Sequence, residues 1–212
     1  MGADRQDNGD ILMREVALCE GVKVVITDKH GGVSQSPYES LNLGLHVGDE
    51  AANVEKNREI FAASFGVSAK QLCFMEQLHG CEVKLANGSG KIYSDALITQ
   101  RRDLVSCGMV ADCVPVVLFD AKNRASAAIH AGRAGAFLDI VTNTIAAMRA
   151  NFKTDAKDIS AFMGASIRSC CYEIQGEVVR EARAKFDFAV EKRGERYFLD
   201  LQKIIKKQLN KN

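Results

Sequence analysis

The chain predicts an α/β fold of the mixed α+β kind, and three observations lead there. Short runs rich in β-branched and apolar residues alternate with segments of helical period from residue 22 to residue 209. Some strand-like runs, residues 72–75 and 116–119 among them, are apolar at every position, the pattern of strands covered on both faces. No Pro/Ser/Gly-rich linker, low-complexity tract or internal repeat interrupts the alternation, so residues 11–212 are expected to form a single domain behind a polar leader of residues 1–10.

The first strand is expected over residues 22–27, where Val22, Val24, Val25, Ile26 and Thr27 carry high β propensity. Gly31, Gly32, Pro37, Asn42, Gly44 and Gly48 then predict a long irregular loop over residues 28–48, a length that usually signals function. Apolar Val33, Tyr38, Leu41, Leu43, Leu45 and Val47 within it predict that the loop packs down. A helix to Phe65 follows, capped by Asp49 or Asn53, with Val54, Phe61 and Phe65 on its apolar stripe, Asn57 and Arg58 on its polar face and Gly66 as its stop.

Short strands are expected at residues 72–75, 82–85, 96–99, 104–109, 116–119, 125–129 and 161–163. Helices are expected at residues 137–152, 177–186 and 201–209, the last capped by Asp200.

With 47% hydrophobic residues in 212, the chain can bury a substantial core. Its 28 basic and 27 acidic residues leave a net charge of +1, which supplies no field to attract a nucleic-acid backbone or anionic lipid. No apolar run approaches the roughly 20 residues of a membrane span, and the N-terminus lacks a secretory pattern. The expectation is a cytoplasmic protein with neither nucleic acid nor membrane as partner. Seven cysteines, an odd number without C-x-x-C spacing, do not form a disulfide framework and mostly sit in apolar settings as small hydrophobes.

Cys113 is the exception. It stands in Ala111-Asp112-Cys113-Val114-Pro115, where a polar loop meets an apolar strand, and His130 ends the next apolar run in His130-Ala131-Gly132-Arg133-Ala134-Gly135. His79 precedes Gly80, and His30 precedes Gly31-Gly32. Three ligands from His and Cys with an open fourth position make a catalytic zinc site, and His79, Cys113 and His130 would supply such a set. Spacing alone leaves open a metal-free reading in which Cys113 is a thiolate nucleophile, a histidine its base, and Asp112 or Asn42 the third group. The Gly132 to Gly135 turn suggests an anion cradle with Arg133 as its guanidinium, and Lys29 and Arg58 are further cations flanking the glycine-rich loop. His46, inside Gly44-Leu45-His46-Val47-Gly48, reads as an ordinary hydrogen-bonded imidazole.

These blocks, together with Gly31-Gly32-Val33-Ser34, Ser40-Leu41-Asn42-Leu43-Gly44, Asn57-Arg58, Gln77-Leu78-His79-Gly80, Asp95-Ala96 and Cys171-Tyr172-Glu173, resemble the laccase-domain (YfiH-like) family across nearly all of residues 22–190. The resemblance implies packed mixed sheets flanked by helices, and a zinc site at His79, Cys113 and His130. It also implies phosphorolysis of adenosine, inosine, guanosine and methylthioadenosine, with hydrolytic deamination of adenosine. Purine nucleosides and inorganic phosphate are the implied partners, Lys29, Asn42, Arg58 and Arg133 the candidate substrate-binding residues, and copper an alternative metal.

Three positions depart from the family pattern. Arg133-Ala134 replaces Trp-Arg, Thr27-Asp28-Lys29 replaces Thr-x-Arg, and Gly164-Ala165 replaces Gly-Pro. Rival readings are a copper-dependent polyphenol oxidase, a metal-free cysteine hydrolase, and a metal- or nucleoside-binding protein without turnover.

Overall fold

A computed structural model describes residues 4–8, 11–19 and 21–211. In chain order the first elements are β1 (Asp4–Asn8), β2 (Ile11–Cys19), β3 (Val22–Thr27), α1 (Ala51–Ser64), β4 (Leu72–Glu76), β5 (Val83–Leu85), β6 (Gly90–Tyr93), β7 (Ala96–Thr99) and β8 (Val105–Cys107). There follow β9 (Val114–Asp120), β10 (Ala125–Ala131), α2 (Arg133–Phe137), α3 (Ile140–Phe152) and β11 (Ile159–Met163). The chain continues through β12 (Glu173–Ile174), α4 (Gly176–Phe186), β13 (Val190–Arg193), β14 (Arg196–Leu199) and α5 (Leu201–Lys211). The architecture is the expected mixed α/β fold. Of the residues read as a leader, 4–8 form β1, paired antiparallel with β2.

The chain divides into two compact units. One runs up to Cys73 and takes in residues 88–90 and 102–105; the other holds residues 74–87, 91–101 and 106–212. In the first, β1-β2-β3 form an antiparallel sheet. The segment between β3 and α1 has no regular element, as its glycines and serines predict, and Leu41 is buried there with Val25, Leu43, Ile60 and Phe65 packed around it. Val33 and Val47, expected to pack down with it, are instead exposed.

What holds this loop is polar. Asn57, placed by sequence on the outer face of α1, is 0% exposed, because its amide donates to Ser34 Oγ (2.8 Å) and to the carbonyls of Ser40 (3.1 Å) and Asn42 (2.8 Å). Its Oδ1 accepts from the Val33 N–H at 2.8 Å. Asparagine on a buried helix stripe is stable only when satisfied in this way. A Cβ on Gly32 would lie 2.2 Å from the Ser40 carbonyl oxygen and 2.5 Å from Asn57 Oδ1, so the close approach requires glycine.

Nor does Asp49 cap α1. The N-cap is Glu50, without a side-chain bond, while Asp49 Oδ2 accepts from Ser34 Oγ (2.6 Å) and Asn42 Nδ2 (2.9 Å).

The second unit is built on a five-stranded sheet of order β11-β9-β10-β7-β5, antiparallel except for the parallel pair β5–β7. Helix α3 packs on β10 and β7, and α5 packs on α2 and α3. Leu97, Ile98, Leu118, Ile140, Met148, Leu201, Ile204 and Ile205 are among its fully buried side chains. Burying a side chain of this size stabilises by about 1.5–3 kcal/mol.

The helix expected at 137–152 starts four residues earlier and breaks at Leu138-Asp139, where Asp139 takes a φ of 59°. Asp200 does cap α5, its Oδ1 accepting from the Lys203 N–H at 3.1 Å. A smaller sheet of order β12-β14-β13 precedes α5, and the remaining sheet has the order β6-β4-β8. No helix among the described residues is long and apolar enough to cross a membrane.

Candidate metal centre

Strands β9, β10 and β7 are neighbours, and antiparallel pairing brings the start of β9, the end of β10 and the start of β7 to one end of the sheet. Cys113 immediately precedes β9, His130 is the last residue but one of β10, and Asp95 immediately precedes β7. Pro115 in the inner strand β9 costs no ladder bond. Its carbonyl accepts from Gly164 N–H at 2.9 Å, so its backbone edge faces the β11 side, and β11 has already ended at Met163 opposite Val116.

Asp95 binds the centre together. It is fully buried; Oδ1 accepts from the His79 N–H at 3.0 Å and Oδ2 from the Gly80 N–H at 2.7 Å, which draws the loop after β4 onto the sheet end. The same Oδ1 lies 2.9 Å from Nδ1 of His130, which is 2% exposed. Donation from Nδ1 to the carboxylate leaves the Nε2 lone pair of His130 free as a ligand. Here a carboxylate fixes the tautomer and the ring angle of one donor while it holds the backbone of another.

Around Asp95, one ligand atom from each of His79, Cys113 and His130 lies within 4.8 Å of the others. The two imidazoles meet edge to face, with centroids 4.7 Å apart at 86°. His79 takes a φ of 56°, left-handed for a residue with a side chain, which marks a position held by its surroundings. His79 is exposed, Cys113 half-covered and His130 buried, so the cluster opens to solvent on one side. Gly132 forms part of its wall: a Cβ there would lie 3.1 Å from Cys113 Sγ and 3.4 Å from His79 Cδ2. Gly135 allows the loop after β4 to approach, since a Cβ there would lie 2.6 Å from the Gly80 carbonyl oxygen.

Burial lowers the His130 pKa, with the His79 charge adding to the effect and the bond to Asp95 opposing it. Burial also pushes the Cys113 thiol up, reinforced by the charges of Asp112 and Asp95. A neutral imidazole is ready to ligate, whereas a thiol raised in this way carries little thiolate near neutral pH without a cation beside it. The electrostatics therefore favour a metal centre over a free thiolate nucleophile. Two imidazoles and one thiolate, with the open side as a fourth position, fit zinc and other borderline divalent ions.

Arg133 opens α2 next to Gly132, its guanidinium 5.8 Å from the Phe137 ring centroid. Tyr172 is half-buried within electrostatic reach of Cys113, and burial raises its phenol pKa, with Cys113 and Asp112 adding and Arg133 opposing. In the first unit, Lys29 is exposed, and its carbonyl accepts from the N–H groups of Ser40 and Leu41. Asn42 donates to Asp49 and accepts from the Gly44 N–H, and Arg58 donates Nε (3.0 Å) and Nη2 (2.7 Å) to the Leu43 carbonyl. His30 and His46 belong to that unit and are exposed.

Sequence reasoning gave Asp95 and Tyr172 no role. For Asp95 a signal existed: a single carboxylate directly before the wholly buried run of β7 must be paired. For Tyr172 no local pattern carried one.

The sequence matches the family described as multi-copper polyphenol oxidoreductase laccase over residues 23–212, and the chain belongs to that family. Among its relatives is a protein of Corynebacterium glutamicum named a purine nucleoside phosphorylase, 42% identical over 77% of this chain and 68% of the relative. Another, from Escherichia coli, is named purine nucleoside phosphorylase YfiH and is 32% identical over 90% of this chain and 78% of its own length. Among solved structures, YlmD from Geobacillus stearothermophilus superposes with a TM-score of 0.87 at 25% identity, covering 98% of this chain and 83% of the other. The Neisseria meningitidis protein NMB0706 gives 0.81 at 30% identity, over 96% and 84%.

Proposed function

We propose that this protein is a purine nucleoside phosphorylase whose centre is the His79, Cys113 and His130 cluster, with zinc as the resident ion. The observation that carries the reading is the convergence of three ligand atoms within 4.8 Å around a buried, fully bonded Asp95, in a chain whose relatives bear that name. When bound, the ion supplies Lewis acidity and the capacity to activate water beside the substrate.

The chain's own residues do the rest. Asp95 keeps His130 in one tautomer and His79 at the mouth, and Gly132 leaves room for a ligand against Cys113. Arg133, which opens α2 beside Gly132, is the cation of this unit that meets the phosphate oxygens, while Lys29, Asn42 and Arg58 lie in the other unit. Phosphorolysis forms a bond from a phosphate oxygen to the anomeric carbon as the bond from that carbon to the purine nitrogen breaks. A cation at the phosphate both orders the nucleophile and balances charge. Adenosine, inosine, guanosine and methylthioadenosine are the proposed substrates, and hydrolytic deamination of adenosine is a second activity of the same centre.

The family's description favours a second reading, copper-dependent phenol oxidation. With four histidines in the whole sequence, two of them in this cluster and two exposed in the other unit, the chain is poorly supplied for several copper sites. Incubation with adenosine and phosphate, with and without a chelator, separates the readings. Adenine with ribose 1-phosphate reports phosphorolysis and inosine reports deamination. Neither product from protein loaded with zinc overturns the proposal.

A further inference from the structure

Among the described residues the cysteines sort by exposure. Cys73 and Cys107 are buried, Cys81 and Cys113 are partly covered, and Cys170 and Cys171 stand exposed side by side with sulfurs 3.1 Å apart. The backbone beneath this pair is fixed. The N–H groups of Cys171 and Tyr172 both donate to the Arg168 carbonyl at 2.9 Å, and the Glu173 N–H donates to the Cys171 carbonyl at 3.0 Å. The turn thus presents two thiols to solvent from an ordered base. The contact with Cys170 holds the Cys171 thiol above its ordinary range, with Arg193 acting in the opposite sense.

We propose that Cys170 and Cys171, which are not among the His79, Cys113 and His130 ligands, form a vicinal dithiol modification site that is oxidised reversibly by low-molecular-weight disulfides. One cysteine, as thiolate, attacks the small disulfide; a bond forms to one of its sulfurs, the sulfur–sulfur bond breaks, and the departing thiolate takes up a proton. The second cysteine then attacks the first cysteine's sulfur and expels the bound small thiolate, which is protonated in turn. In the balance two protein thiols become one disulfide, and one small disulfide becomes two small thiols.

A neighbouring sulfur at 3.1 Å makes the second step intramolecular, which favours ring closure over a lasting mixed adduct. Consecutive Cα atoms lie about 3.8 Å apart, short of the roughly 4.4–6.8 Å that an unstrained disulfide spans. The closed ring is therefore easily reduced, which suits a reversible modification and not a structural link. Cys113 competes poorly, being partly covered where Cys170 and Cys171 are exposed.

Cleavage by trypsin after Arg168 and Arg180 places both thiols on one peptide, residues 169–180, with no other cysteine. The full chain is treated with oxidised glutathione, quenched with iodoacetamide and mapped by mass spectrometry. The expected result is this peptide two hydrogens lighter and unalkylated, returning to the doubly alkylated form after dithiothreitol. Cys170→Ser and Cys171→Ser each remove the resolving partner and are expected to stop at the glutathione adduct. A wild-type peptide that keeps both thiols, or that carries two separate adducts, overturns the proposal, as does the absence of adduct in both variants. The readout needs no enzymatic activity, so its outcome stands apart from that of the proposed function.

Discussion

Asp95 is the residue on which the centre turns, because one buried carboxylate accepts from two backbone N–H groups and one imidazole at once. Asparagine keeps the shape but cannot accept at both oxygens, so Asp95→Asn is expected to weaken zinc binding about 10–100-fold, as titration against a chromophoric chelator would read. Cys113→Ala removes a ligand without emptying the core. Bound metal and turnover should fall together while the far-ultraviolet circular dichroism stays that of the parent, and full activity in metal-free protein would contradict the centre.

Gly132→Ala tests the wall. Its new methyl would sit 3.1 Å from Cys113 Sγ, so metal stoichiometry should drop while the unfolding midpoint moves little. For Arg133→Ala, loss of a charged hydrogen bond of about 1.5–3 kcal/mol predicts roughly a tenfold to hundredfold fall in kcat/KM, carried by the KM for phosphate.

At the scale of elements, α1 and the loop before it form a cooperative block whose keystone is Asn57. Asn57→Ala strands the Val33 N–H and the Asn42 carbonyl, and one such orphaned group costs about 1–3 kcal/mol. An increase in unfolding free energy, or none, in urea titration would contradict that role. Periodicity placed the helix correctly, but apolar spacing cannot register a stripe position filled by asparagine, so the burial of Asn57 was not legible. The break between α2 and α3 escaped for a similar reason. Asp139 turns left-handed with no glycine or proline to announce it, and both flanking segments have helical composition.

For the whole molecule, the metal-free protein should show a signature of His130. Its folded pKa lies below the value of about 6.5 expected of an open chain. Between those two values the unfolded chain binds a proton that the folded chain refuses, so stability falls as pH falls through this window and is unaffected above it. The slope is about 1.4 kcal/mol per pH unit within the window. Denaturant midpoints at pH 5.5 and 7.5, compared with those of a His130→Gln variant, measure it; an equal loss in the variant would assign the effect elsewhere. Zinc at about 100 times its Kd should add about 2.7 kcal/mol to the stability of the folded state, an increment that Cys113→Ala removes.

The sequence by itself determined the strands and helices that position the site, since hydrophobic period and turn residues act within a few residues of one another. It also supplied the block pattern that names the family, and with it the histidines and the cysteine. The tertiary structure decided what those residues do to each other. Antiparallel pairing sets three strand ends side by side, and only then does Asp95 face both His130 and the backbone of His79. The same holds for Asn57 and its distant loop: partners separated by tens of residues leave no trace in local spacing, because sheet register and close packing, not chain distance, fix which polar groups meet.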